Sequence, residues 1–331
     1  MHAAAINLRG GVSPRNTRLR GQSIIEYVLI AAVIGLVVIF AGPQVSSAIR
    51  NQFNTVTNTV DSGTDGDNFI SAEEKAYREA MKTVASKEAK DWTLDEQKAA
   101  ATDIAKNGTS SVVYAKAKAA MDAGTKWSVK LTNGKTMSYR IIGINHDGLA
   151  DGSGKAGLTF WAINNAVGAA RMNATNSNVG GWERSELRSK MNSGEIWNLM
   201  PNNFQSKVKS VTKLTNNEGG SPVNKNAAVT ATADKLFLLS SNEVLFSPRG
   251  ASDYPWLSKE GIRYESFSCS SWGSFGQGIW LRSIWPYENK YSAEDNMFQY
   301  PHPNYSPEDQ NAINQGEHPQ NLCSVRPAFC F

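Results

Sequence analysis

The sequence predicts an α+β fold with a long N-terminal transmembrane helix, a helical spacer and a distal domain of antiparallel strands. Three features support this: an apolar run from Ile24 to Phe40, an Ala- and Lys-rich stretch ending near Gly124, and apolar–polar alternation from Trp127. A run of about 17 to 19 residues is near the lower limit for a membrane helix, and alternation with period two is typical of half-buried strands. The predicted segments are 1–21, 22–60, 61–125 and 126–331.

Charge places the N-terminus in the cytoplasm and the distal domain outside the cell. The chain has 331 residues and a formal charge of +4, and four arginines precede the apolar run: Arg9, Arg15, Arg18 and Arg20. Only Arg50 follows the run closely, so the positive-inside rule orients the helix and makes the membrane a predicted partner. Without the four leader arginines the remainder is nearly neutral, and no nucleic-acid footprint remains.

A processing motif lies in front of the apolar run. Gly21 is followed by QSIIEY and then by VLIAAVIGLVVI, so that Glu26 and Tyr27 stand at the start of the run. This pattern resembles the class III signal peptide of Flp-type (type IVb) pilins over about Gly21 to Val60. The resemblance implies that residues 1–21 are a leader, that a prepilin peptidase cuts after Gly21, and that Gln22 becomes the N-terminus of a long pilin helix.

The same resemblance assigns an assembly role to Glu26 and Tyr27. A carboxylate within the hydrocarbon layer is costly unless it is paired. The free α-amino group of a neighbouring pilin subunit is the partner that the family implies for Glu26. The alternative is a plain signal anchor in which Glu26 reaches the membrane interface.

The acidic loop 63–74 follows the spacing of an EF-hand in part. With Ile70 as the central apolar position, the calcium ligands would be Asp65, Asp67, the Phe69 carbonyl, Ser71 and Glu74. Gly63 stands where the first ligand is expected, and Asn68 stands where glycine is usual. The alternative is that residues 71–74 form a capping box that starts a helix. Calcium is the one cofactor that the sequence suggests.

Beyond this loop the pattern changes from helix to strand. Thr93 and Glu96 form a capping box, and few large apolar residues follow before Gly124, which favours a spacer or small helical subdomain. From Trp127 the alternation is interrupted at Asn133-Gly134, which predicts a β-hairpin. The next loop carries Asp147 and Asp151, which suit a tight turn as well as a cation site.

Four motifs follow in order: W-x-x-S-x-L-R from Trp182, D-K-L-F-L-L-S from Asp234, W-L-R-S from Trp280 and V-R-P-A-F from Val325. The ordered set resembles a family of uncharacterised bacterial surface-protein domains over about residues 127–331. The resemblance implies a fold akin to the C-type lectin and formylglycine-generating-enzyme group, with twisted antiparallel strands, few helices and long loops.

The motif side chains are predicted to be structural, with a ligand site as the alternative; they are Trp182, Arg188, Trp280, Arg282 and Arg326. The tryptophans are expected to fill the core. Arg282 and Arg326 lie on apolar segments, so we expect them to pair with carboxylates such as Glu186 or Glu243.

The segment between the last two motifs is rich in aromatic and small polar residues. Its aromatic residues include Trp285, Tyr287, Tyr291, Tyr300 and Tyr305. Rigid amphipathic rings among small polar groups are typical of recognition surfaces, so a ligand surface is predicted here. The alternative is a long loop that covers the core.

No catalytic motif is present, and no enzyme is predicted. The four histidines lack metal spacing, and neither a P-loop nor a nucleophile elbow occurs. The cysteines Cys269, Cys323 and Cys330 form either one disulfide or three buried thiols. Formylglycine-generating enzymes use a close cysteine pair, whose spacing Cys323 and Cys330 do not match.

We therefore interpret the chain as an Flp-like minor pilin or pilin-anchored surface protein. Its lectin-like domain would bind a cell-surface or glycan ligand and serve adhesion, on the membrane or in a pilus. The alternative is a structural pilus-assembly component whose distal domain only caps or spaces the assembly, and a formylglycine-generating-like enzyme ranks third.

Overall fold

The computed structural model describes residues 72–244, 251–267, 278–286, 297–300 and 315–331. The chain divides into two compact units, Met1–Phe69 and Ile70–Phe331, and all the described residues belong to the second. This unit contains helices at its N-terminal end, followed by strands and short helices.

The predicted transmembrane helix and the membrane-anchored localisation require correction. Among the described residues, no helix is both long and apolar enough to cross a bilayer. The longest of them, α1 (Ala72–Ser86), has 15 residues, and its Glu79 and Lys82 side chains are each more than 70% exposed. A hydrocarbon layer would penalise such charges. Segment 22–60, with Glu26 and Tyr27, lies outside the described residues, as do Gly21 and Gln22.

The predicted capping box at Thr93 is confirmed. Thr93 precedes α2 (Leu94–Asn107); its side chain accepts from the Glu96 N–H, and the Glu96 carboxylate accepts from the Thr93 N–H. A third helix, α3 (Tyr114–Asp122), follows a 3-10 turn at Gly108–Ser110.

We expect Thr93→Ala to lower the free energy of unfolding by about 1 kcal/mol, because it leaves helix N–H groups of the first turn without an acceptor. Urea denaturation measures the loss. Thr102→Ala is the matched control, since Thr102 is exposed inside the same helix and bonds only the Lys98 carbonyl. Equal losses in both variants would contradict the capping role.

The helical segment packs directly on the sheet. The Trp127 indole donates to the Ala89 carbonyl over 3.1 Å, and the Tyr139 hydroxyl donates to the Gln97 side chain over 3.0 Å. Small residues of α2, Ala100 and Ala101, are fully buried. The region predicted as a spacer thus shares one hydrophobic core with the strands.

Eleven strands are formed in the described part of the chain. They are β1 (Lys126–Lys130), β2 (Thr136–Ile144), β3 (Leu158–Ala162), β4 (Ala169–Ala170), β5 (Val211–Asn216), β6 (Val229–Asp234), β7 (Leu236–Phe237), β8 (Phe298–Tyr300), β9 (Gln315–Glu317), β10 (Cys323–Ser324) and β11 (Ala328–Cys330). The main sheet has the order β1-β2-β3-β11-β7, and every pair in it is antiparallel. The predicted hairpin is confirmed by the β1–β2 register, in which Trp127 faces Tyr139.

The C-terminal strand lies in the middle of this sheet. In β11, Phe329 pairs with Phe160 of β3 on one side and with Leu236 of β7 on the other. Its ring stacks on Phe160 at 5.3 Å and meets the edge of Phe204 at 4.7 Å. The last motif of the sequence is therefore a central element of the core.

Five short helices and three small sheets surround the main sheet in the described part of the chain. The helices are α4 (Gly181–Arg184), α5 (Glu186–Asn192), α6 (Glu195–Asn198), α7 (Asn202–Gln205) and α8 (Ser241–Val244). The helices α4 and α5 are separated at Ser185, whose extended backbone lets its hydroxyl cap α5. The small sheets pair β5 with β6, β4 with β10 and β8 with β9.

Candidate functional site

The first two sequence motifs meet at one carboxylate. Asp234, at the end of β6, accepts from the Trp182 indole over 3.0 Å and from the Arg188 guanidinium over 2.6 Å. Thr232 adds a third hydrogen bond. Both Trp182 and Asp234 are fully buried, so this contact ties α4 and α5 to the β5–β6 pair and has no open face for a ligand.

The second and third motifs meet at Arg282. Its guanidinium donates to the Leu238 carbonyl over 2.7 Å and to the Glu243 carboxylate over 2.5 Å. The sequence named Glu243 as a partner for this arginine, and the structure contains that ion pair. Thr215 accepts a further bond from Arg282 Nε, so the buried cation is held from several sides.

The third and fourth motifs both contribute buried side chains to the core. Trp280 is buried, and its indole donates to the Ala170 carbonyl over 2.8 Å. Arg326 lies with its guanidinium 5.6 Å from the centre of the Trp161 ring, and burial lowers its pKa to about 10. Glu186, the other carboxylate named from sequence, accepts instead from the Ala174 N–H.

A buried ion network connects these motifs to the loop after the hairpin. We define it as Asp147, Lys213, Glu243 and Arg282. The Lys213 ammonium lies 2.7 Å from Asp147 and 2.6 Å from Glu243, and Glu243 in turn holds Arg282. All four side chains are at most 3% exposed. Two carboxylates and two cations balance in charge, which is the condition for burying them.

Electrostatics keeps the network ionised. Burial alone would raise the pKa values of Asp147 and Glu243, but the neighbouring cations outweigh burial and hold both below their ordinary values. Burial would likewise lower the pKa values of Lys213 and Arg282, yet the carboxylates raise them. The ion pairs of the network therefore hold the segments that carry them together. The network offers neither a free base nor a free nucleophile.

The residues around Asp147 complete its hydrogen bonding. Tyr264 and Thr159 donate hydroxyl protons to Asp147, and His146 stacks on the Tyr264 ring at 4.0 Å. Cys330 is a buried free thiol near Asp147, and burial together with that carboxylate raises its pKa well above the ordinary value. Cys323 is also a free buried thiol, while Cys269 lies outside the described residues.

A third buried carboxylate, Glu260, lies beside the network and forms no ion pair with the residues that the structure describes. One carboxylate oxygen accepts from the Asn216 N–H over 2.8 Å, and the other accepts from the Ser283 hydroxyl. Burial raises the pKa of Glu260 to about 7. The four charges of the ion network balance without Glu260, and burial brings the pKa of this third carboxylate into the neutral range.

Of the predicted ligand surface, the structure describes Trp285 with its side chain and the backbone of Tyr300. Trp285 is half-buried, and its backbone N–H donates to the Met297 carbonyl. Its ring packs closely on the backbone of Gly316, because a Cβ added at Gly316 would lie 2.6 Å from the ring. Tyr287, Tyr291 and Tyr305 lie outside the described residues.

Two polar loops adjoin this tryptophan. Residues 315–322 include Gly316 and carry Glu317, His318 and Asn321. Residues 173–180 contact them, since the Asn173 N–H donates to the Pro319 carbonyl over 3.1 Å. The His318 ring lies 3.0 Å from the Asn176 side chain, and Asn321 donates to Glu317 over 2.6 Å. Two exposed apolar residues, Val179 at 60% and Leu322 at 55%, belong to the same loops. We call residues 173–180, 285 and 315–322 the amide-rich surface.

Of the predicted calcium ligands only Glu74 is described. Its carboxylate lies 3.1 Å from Arg78 and 3.8 Å from Lys106. Asp65, Asp67, Phe69 and Ser71 lie outside the described residues, so calcium binding stays a prediction. Within the described ranges no group of three His, Cys, Asp or Glu side chains could hold a metal ion.

The two carboxylates of the loop that follows the hairpin, Asp147 and Asp151, lie in different environments. Asp147 belongs to the buried network, whereas Asp151 is exposed and accepts from the backbone and hydroxyl of Ser153. Sequence reasoning missed Asp147, Lys213 and Glu260 as partners. One signal existed: Lys213 takes an inward position in β5 between buried Val211 and Thr215, where an unpaired lysine is not tolerated.

Comparison with known proteins gives one match. The DUF6273 family, described as a domain of unknown function, matches residues 157–331. This range is more than half of the chain and contains all four motifs, while Asp147 lies just before it. No curated protein and no solved structure matches the chain.

Proposed function

The chain belongs to the DUF6273 family, a domain of unknown function, and on this premise we propose that it is a binding protein whose amide-rich surface takes a hydroxyl-rich ligand such as a glycan. The observation that carries the proposal is the position of Trp285, half-buried against Gly316 beside loops of amide, imidazole and carboxylate side chains. Aromatic faces bind the apolar faces of sugars, and planar polar side chains pair with hydroxyl groups.

Binding is favoured over catalysis by the state of the reactive groups. The Cys330 thiol and the Tyr264 hydroxyl are fully buried, and burial is the main cause that raises both pKa values. Neither has the depressed pKa and exposure that a nucleophile needs. The polar side chains of the amide-rich surface, in contrast, are held in place by hydrogen bonds. His318 pairs with Asn176 across the two loops, and Asn321 pairs with Glu317 within one loop, which lowers the entropic cost of binding.

We expect Asn321→Ala and His318→Ala each to weaken binding about five- to thirtyfold, since loss of a hydrogen bond in a binding site costs about 1 to 2 kcal/mol. The full chain is first screened on a glycan array, and the affinity of the strongest ligand is then measured by calorimetry. Asn203→Ala, an exposed asparagine on α7, is the matched control and should leave affinity unchanged.

Two outcomes would contradict this proposal. Binding that is insensitive to both loop variants places the ligand elsewhere on the protein. The absence of any glycan ligand, with the chain folded as judged by its thermal transition, instead favours a domain that only spaces or caps an assembly.

A further inference from the structure

A line of hydroxyl groups runs from the third buried carboxylate into the ion network. The Ser283 hydroxyl donates to Glu260, and the Ser241 hydroxyl donates to Ser283 over 3.2 Å. The Ser241 N–H also donates to the Ser283 oxygen, over 2.9 Å. All three residues are fully buried. Ser241 is the first residue of α8, the helix that carries Glu243 of the ion network.

We propose that Glu260, Ser283 and Ser241 form a proton-operated latch, in which protonation of Glu260 reverses the two hydroxyl bonds and changes how α8 is held. With Glu260 ionised, Ser283 gives its proton to the carboxylate and accepts two bonds from Ser241. With Glu260 protonated, the acid proton goes to the Ser283 oxygen, and the Ser283 proton turns to Ser241. A hydroxyl has one donor and two acceptor sites, so Ser283 is saturated in both arrangements.

The two arrangements differ at Ser241. In the ionised arrangement its hydroxyl has Ser283 as acceptor. After reversal the Ser241 oxygen accepts a hydrogen bond from Ser283, and the Ser241 O–H must turn toward another acceptor. The consequence falls on the start of α8, next to Ser240, whose N–H donates to the Glu243 carboxylate and whose hydroxyl accepts from the Glu243 N–H. A proton at Glu260 is thereby coupled to the element that anchors both buried cations.

The charged groups around Glu260 set the direction of the effect. Burial is the largest cause that raises its pKa, and Glu243 adds to the rise, whereas Ser283, the Asn216 N–H and Arg282 lower it. Arg282 donates to the backbone carbonyl of Glu260 over 2.9 Å, and the Ser240 hydroxyl bonds the same carbonyl. The Glu243 side chain packs against Gly261, next to Glu260.

The sign of the stability change follows from the pKa. The folded pKa of about 7 lies above the ordinary value of 4.5, so the folded chain keeps a proton that the unfolded chain has released. This contribution to stability is complete below the ordinary pKa and is lost as the pH rises through the folded pKa. Glu260 alone thus makes the protein less stable between about pH 5 and pH 8 as the pH increases.

Isotope-edited infrared spectroscopy on the full chain labelled at glutamate tests the latch, because it resolves the carbonyl band of a protonated carboxyl. We expect one acid that titrates near neutral pH and that disappears in Glu260→Gln. In Ser283→Ala the ionised Glu260 carboxylate loses a hydrogen bond, and the midpoint of its titration should rise by about one to two pH units. Ser258→Ala, an exposed serine two residues from Glu260, should leave the midpoint unchanged.

The wild-type chain gives an independent check that needs no variant to fold. Its free energy of unfolding, measured by denaturant titration at several pH values, should show the loss assigned to Glu260 as the pH passes neutrality. The proposal is overturned by a spectrum without a neutral-pH carboxyl in the wild type, or by a midpoint in Ser283→Ala that is unchanged or lower.

Discussion

Replacing Glu243 with glutamine is expected to lower the free energy of unfolding by about 3 to 5 kcal/mol. The Glu243 carboxylate holds Lys213 with one oxygen and Arg282 with the other. Glutamine preserves the shape but removes the charge, so two buried cations are left with Asp147 as the remaining carboxylate of the network. Denaturant titration at neutral pH measures the loss.

The matched control for this prediction is Glu195→Gln. Glu195 also pairs with a lysine, Lys190, over 3.1 Å, but its side chain is 69% exposed. Exposed pairs contribute at most about 1 kcal/mol because water screens them. Similar losses for Glu243→Gln and Glu195→Gln would show that the buried network does not carry the stability assigned to it.

Acidification should act on the same network. The pKa values of Asp147 and Glu243 lie below their ordinary values in the folded chain, because Lys213 and Arg282 outweigh burial. A depressed carboxyl pKa contributes stability that is present above the unfolded pKa and is lost as the pH falls through the folded one. The network therefore stabilises the fold at neutral pH and loses this contribution in acid. Its pH dependence is opposite in sign to that of Glu260, whose contribution is lost as the pH rises.

The second large effect is expected at Gly157, where α2 meets the sheet. A Cβ at this position would lie 1.8 Å from the backbone carbonyl oxygen of Ala101, which no rotamer change can relieve. We expect Gly157→Ala to lower the free energy of unfolding by about 3 kcal/mol or more, since the helix must move away from the strand.

Hydrogen exchange resolves where this effect arises. In Gly157→Ala the amides of α2 should exchange faster, because separation from β3 exposes the buried face of the helix. Gly148→Ala is the control, since nothing lies within 4 Å of a Cβ at Gly148. Unchanged exchange in α2, together with normal stability, would contradict the direct packing of helix on sheet.

Local patterns in the sequence predicted local structure well. Thr93 and Glu96 form the expected capping box, and Asn133-Gly134 turns the expected hairpin, because each depends on residues only a few positions apart. The sequence also named Glu243 for Arg282, since an arginine in an apolar segment requires a carboxylate. The predicted membrane helix found no counterpart among the described helices, which are short and carry charges on their exposed faces.

The sequence by itself determined that Trp182, Trp280 and Arg282 are interior residues of a strand-rich domain, because apolar spacing decides which side chains leave water. Only the tertiary structure decided which distant residues complete the buried network around them. Asp147 and Lys213 are 66 positions apart, and Glu260 reaches Asn216 across 44. Such pairs depend on how loops cross at the edge of the sheet, and no local periodicity encodes that crossing. The charge balance of the network is therefore a property of the folded chain.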